Sequence, residues 1–147
     1  MNNDLKELLE NYENLRENFR LYIDNGEVRK EGLIEFQGRF TDLKADLRPF
    51  INQVYKGWIR RDDKASTAIK FRIALAIHKG EFKDEKGNLI FDACSINQAE
   101  KLASGSEPYK KFLEERAFYR ESYVNLNDLR ADVESYLIEC SVRIREY

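Results

Sequence analysis

Seven cations stand between Tyr55 and Gly80: Lys56, Arg60, Arg61, Lys64, Lys70, Arg72 and Lys79. Only Asp62 and Asp63 oppose them there, in a chain whose formal net charge is -2. Lysine and arginine neutralise phosphates, and aromatic faces stack on bases without reading their identity. Tyr55, Trp58 and Phe71 are interleaved with these cations. Cations and aromatics together are the chemistry of a single-strand-binding surface. Lys64, Lys70, Arg72 and Lys79 are the expected nucleic-acid contacts, with Arg60, Arg61 and Trp58 in support. At helical spacing Lys64, Arg72 and Lys79 point within about 60–80° of one another, and Lys70 lies opposite. A structural reading competes with this one. Arg60 and Arg61 close a helix, where positive charge suits the dipole, and a lone tryptophan is more often a core anchor.

Enzyme chemistry finds no footing. "ASGSEP" at 103–108 lacks the Lys-Ser/Thr ending of a phosphate-binding loop and reads as a capped helix start. His78, the single histidine, has no Ser, Cys or Asp arranged with it as a triad. Cys94 and Cys140 are far apart and read as small buried hydrophobes of a reducing compartment. With one histidine and no close cysteine pair, a metal site is not expected, and no cofactor is implied. The acidic residues alternate with Lys and Arg at i+3 and i+4, the pattern of solvated helix faces. The expectation is a non-enzymatic binding protein.

The elements that must position the cations are helical. Leu5, Leu8, Leu9, Tyr12, Leu15, Phe19, Tyr22 and Ile23 recur at spacings of three and four, which predicts a helix over 4–24. Asp4 with Glu7 reads as its capping box and Gly26 as its stop. A second pattern covers 33–61, and Pro49 is expected to kink it or split it near Arg48. A third helix covers 64–79, so apolar around its cylinder that other elements or another subunit must cover it. "EFKDEKGNLIFD" at 81–92 changes period and predicts a small β-hairpin. Ser95 and Gln98 announce a short helix, 96–103. Ser106 is expected to cap a long final helix that carries Pro108 in its first turn.

That final helix places Phe112, Tyr119, Leu126, Val133 and Cys140 seven apart, with Arg116, Tyr123, Arg130, Leu137 and Ile144 as a second line. A sustained heptad favours a supercoiled partner. The helix therefore packs on its own domain, forms a helix hairpin or joins subunits in a coiled coil.

The fold expected is mainly α: one helical domain over 1–147, with a long C-terminal helix and one small hairpin. Its parts are N-terminal helices (1–62), a basic helix (63–80), the hairpin (81–92) and C-terminal helices (95–147). No apolar run is long enough to span a membrane. The start, "MNNDLKELLENYENL", lacks the basic and apolar regions of a signal peptide, so a cytoplasmic location is expected. Charge is segregated: 54–80 sum to +5, while 1–35 and 81–147 each sum to -4.

The basic "IKFRIALAIHKG" at 69–80, followed by a polar hairpin, a small helix and a long C-terminal helix, resembles the phage recombination-mediator family UvsY. Ile69, Lys70, Arg72 and Ile73 match the Leu, Lys, Arg and Leu of that family's L-K-A-R-L-D-Y-Y motif, and Lys79-Gly80 resembles its basic turn. Phe71 replaces the alanine, and Ala74 and Leu75 replace the acidic and aromatic positions. The resemblance covers roughly residues 50–147. It implies a homo-oligomeric ring that binds single-stranded DNA and helps load a recombinase in place of a single-strand-binding protein. Lys70 and Arg72 are the DNA contacts it carries over. The alternative is a small phage or bacterial protein-binding module without DNA affinity, for example an inhibitor of a host defence complex, working through its acidic helices. A third reading is a structural assembly factor.

Overall fold

The structure, a computed structural model, describes residues 3–147. Five helices follow in order: α1 (Asn3–Asp24), α2 (Lys30–Ile59), α3 (Asp63–His78), α4 (Ile96–Ser104) and α5 (Glu107–Ile144). The contacts divide the chain into two compact units. The first holds Met1–Gln53 and Ser122–Tyr147, and the second holds Val54–Glu121. Helices α2 and α5 each contribute one part to each unit.

In the first unit, the apolar stripe read on α1 is its buried face: Leu8, Tyr12, Leu15 and Phe19. Leu33, Phe40, Leu43, Leu47 and Ile51 do the same for α2. Phe19 meets Phe36 and Phe40 edge-on, with centroids 5.3 and 5.6 Å apart. Tyr136 of α5 completes the cluster, stacked 5.0 Å from Phe40 and edge-on to Phe19. Such pairs add about 0.5–1.5 kcal/mol each beyond the area they bury. The loop between α1 and α2 turns at Gly26 (φ +73°), the left-handed conformation that glycine adopts without strain. The Tyr22 hydroxyl closes that loop, accepting from the Arg29 N–H and donating to the Arg29 carbonyl.

The heptad line of α5 is satisfied inside the chain. Leu126, Val133 and Cys140 are buried in the first unit, and Gln37 of α2 donates to Ser141 beside them at 3.0 Å. Phe112 and Tyr119, in the second unit, are half-buried. The seam thus gives no support of its own to a coiled coil between subunits.

The second unit is built on α3 and α4. Ile73, Ala74 and Ile77 pack against Ala99 and Ala103, with Ile69, Phe82, Phe91, Cys94, Leu102 and Tyr109 around them. The alanines present no bulk, so the two helices approach closely. Asp62 accepts from the Ala65 N–H and caps α3. Ser95 caps α4 through the Gln98 N–H, as its spacing predicts.

Four local expectations are corrected. Pro49 does not split α2, which is one helix from Lys30 to Ile59. The bond that proline cannot donate belongs to the Ala45 carbonyl, and both residues are exposed, so water can solvate that oxygen. The β-hairpin over 81–92 does not form strands; it reduces to one isolated bridge between Lys83 and Leu89. The Asp84 carboxylate holds the Lys86 and Asn88 N–H groups, and Phe82 and Phe91 pack on the helical core. Asp4 lies inside the first turn of α1. The Ser106 hydroxyl is buried and donates back to the Ala103 carbonyl, so it does not cap α5.

Burial pushes the Tyr12 hydroxyl up to about 12, with Tyr136 and Asp132 adding to it, and pushes the Cys140 thiol up to about 11. Both groups are therefore held neutral more tightly in the folded state than in the unfolded chain. That stability is present below their ordinary values of 10.0 and 9.0. It is lost as pH climbs from there through the folded values. Thermal melts followed by circular dichroism should show a midpoint falling from about pH 9 upward, and Tyr12→Phe should flatten the fall between about pH 10 and 12. An identical pH profile for the variant would contradict this. Val133 is 0% exposed and Ile138, on the other side of α5, 64%. Val133→Asp should cost about 3–5 kcal/mol in denaturant melts, and Ile138→Asp under about 0.5.

Candidate nucleic-acid interface

The inner face of α3 decides what its outer face can do. With Ser66, Ile73, Ala74 and Ile77 buried, the opposite side carries Lys64, Ala68, Phe71, Arg72, Leu75 and Lys79. Lys64, Arg72 and Lys79 are exposed, and none has an ion pair among the described residues. No carboxylate occurs in the sequence from Lys64 to Gly80. The two that precede it are occupied: Asp62 caps α3, and Asp63 takes Arg116 at 2.8 Å; Glu81, exposed, follows it directly. Along the axis Lys64, Arg72 and Lys79 are spaced by about 12 and 10 Å. Phe71 stands between them, 55% exposed, with half-buried Leu75 beside it.

The remaining expected residues are placed differently. Lys70 is half-buried on the side of α3 that faces away from this ridge. Arg60 is exposed in the turn after α2. Arg61 is committed to the second unit. Its guanidinium donates to the Gly57 carbonyl and pairs with Glu115 at 3.2 Å. It also lies 4.6 Å over the Tyr119 ring. Trp58 is half-buried and edge-on to Tyr55, 6.3 Å between centroids. The structure thus brings three of the seven residues onto one face, keeps Arg60 near its start and turns Lys70, Arg61 and Trp58 to other surroundings.

Phe71 is the central aromatic of the ridge. Its place is legible at 100° per residue, about 20° round the helix from Lys64, once the buried side of α3 is known. The Arg61–Tyr119–Glu115 cluster had no local signal, because Arg61 lies 54 or more residues from its two partners on α5.

His78 follows the ridge at the end of α3. A carbonyl only accepts, so its Nδ1 carries the proton that it donates to the Cys94 carbonyl at 2.6 Å. That bond ties the end of α3 to the segment leading into α4. Among the described residues no group of His, Cys, Asp and Glu could hold a metal ion, and no helix is long and apolar enough to cross a membrane.

No known family, curated protein or solved structure matches this chain.

Gly57 supports the Arg61 cluster. A Cβ there would overlap the Tyr119 ring. Gly57→Ala should therefore destabilise the fold by about 1–3 kcal/mol, although alanine is the better helix former by about 1 kcal/mol. In a double-mutant cycle with Tyr119→Ala that cost should disappear. A stabilised Gly57→Ala single variant would contradict the packing.

Proposed function

We propose that the outer face of α3 binds single-stranded nucleic acid, and that the protein works as a non-enzymatic, single-stranded-DNA-binding accessory of recombination. The observation that carries this reading is Phe71 standing exposed among Lys64, Arg72 and Lys79, on a stretch without a carboxylate. Each cation can neutralise a phosphate, and Phe71 offers a face to a base. The folding of the second unit does not use these groups, so they are available to a ligand. The recombination role, with a recombinase and a single-strand-binding protein as partners, comes from the UvsY resemblance alone; assembly into a homo-oligomer comes from that resemblance and from the heptad line and apolar third helix read in the sequence. Acyl, phosphoryl or redox chemistry has no group on this face to perform it.

Fluorescence anisotropy with single- and double-stranded oligonucleotides at several salt concentrations tests the reading. Three phosphate contacts on a single strand give a log–log salt slope of about -2, from roughly -0.7 per contact. Arg72→Ala should make that slope shallower by about 0.7 with an unchanged melting temperature. Phe71→Ala should weaken binding by about 1–3 kcal/mol and leave the slope alone. Arg61→Ala should lower the melting temperature and leave the slope alone, because its charge is held inside the second unit. Wild-type protein without single-strand affinity at low salt would overturn the proposal and leave the protein-binding alternative in front.

A further inference from the structure

A groove runs along α1 and α2 within the first unit, independent of the α3 face. Leu8, Leu15 and Leu43 form its floor. Asn11, Asn14 and Asn18 rise along its α1 wall, and Asp42 and Asp46 along its α2 wall. Beyond Asp46 the groove continues past Glu7 to Ala45, Pro49 and Phe50. Its two halves measure about 300 and 350 Å³.

Two features of this groove work against the helices that build it. Asparagine is a poor helix former, yet three of them share one stripe of α1 at spacings of three and four. Proline inside a helix costs about 3 kcal/mol, and Pro49 sits in the wall of the same groove. It leaves the Ala45 carbonyl, in that wall, without its intrahelical donor. Residues that break the local rule of their element concentrate at functional positions. None of the three asparagine side chains makes a hydrogen bond among the described residues, and Asp42 and Asp46 have no ion pair there. The groove's one arginine, Arg39, is already bonded to Glu35. The lining therefore offers free amides, free carboxylates and a free backbone acceptor above an apolar floor.

That combination selects its occupant. A primary amide can give a donor and an acceptor to the N–H and C=O of an extended chain. The leucines below, 5–9% exposed, offer a narrow apolar strip to the side chains on one side of that chain, and carboxylates take the cations on the other. From Asp4 to Asn18 α1 covers about 21 Å, the length of roughly six extended residues. The first unit holds 11 Lys and Arg against 16 Asp and Glu, so its field repels phosphate and attracts a basic segment. We propose that this groove binds an extended segment of a partner protein in which Lys or Arg alternates with apolar side chains.

The test is a titration of the full chain against a fluorescein-labelled hexapeptide, Arg-Leu-Arg-Leu-Arg-Leu, read by anisotropy. Saturable one-to-one binding is expected. Asn14→Ala with Asn18→Ala, and separately Asp42→Asn with Asp46→Asn, should each weaken it about tenfold, the loss of one or two good hydrogen bonds. The asparagine pair should melt no lower than wild type, since alanine is the better helix former. Arg72→Ala, on α3, should leave peptide binding unchanged whether or not the α3 face binds nucleic acid. Hexalysine, which has cations and no leucines, should bind at least tenfold more weakly. Absence of saturable binding at millimolar peptide, equal affinity for hexalysine, or indifference to the asparagine pair would overturn the proposal.

Discussion

The packing of Ile73, Ala74 and Ile77 of α3 on Ala99 and Ala103 of α4 is the constraint on which the second unit depends. Alanines let the helix axes approach, and the isoleucines fill the space that approach leaves. Each buried isoleucine stabilises by about 1.5–3 kcal/mol relative to an exposed one. The same contact fixes the rotation of α3 about its axis. Once Ile73 and Ile77 point inward, Lys64, Phe71, Arg72 and Lys79 have no choice but to point outward. The Asp62 cap at one end and the His78–Cys94 bond at the other hold that rotation.

Charge is divided between the two units in keeping with this. The second holds 14 Lys and Arg against 11 Asp and Glu, a net +3, and the first a net -5. Within the second unit the ion pairs are selective. Arg61 and Arg116 are taken by Glu115 and Asp63, while Lys64, Arg72 and Lys79 take part in no ion pair among the described residues. Exposed or half-exposed pairs like these contribute little to stability, a median of about 0–1 kcal/mol each. Their larger consequence is to withdraw Arg61 and Arg116 from the cations open to a ligand.

Much of this was legible in the sequence. The stripe of α1, the Ser95 cap of α4 and the length of α5 follow from spacing, because periodicity and caps are local signals. The heptad line was legible as a buried line, and the partner that buries it was not, since Tyr136, Phe40 and Phe19 meet only when three distant segments fold together. Pro49 misled because its cost is set by what surrounds the carbonyl it frees, and that carbonyl lies on an exposed side of α2. The expected hairpin failed because Phe82 and Phe91 gain more from the helical core than short strands gain from each other; a lone hairpin is marginal. For the site, the sequence showed where cations gather. Which of them spend their charge inside the fold, as Arg61 does, depends on residues half the chain away.

The claim at the centre of this account is that the outer face of α3 is a working surface whose only exposed aromatic is Phe71. Photo-crosslinking measures that contact directly. A single-stranded oligonucleotide carrying 5-iodouracil, irradiated with the full chain at low salt and mapped by mass spectrometry, should attach within α3 and at Phe71 above all. Attachment confined to Trp58 and Tyr55, or to the helices of the first unit, would contradict the account.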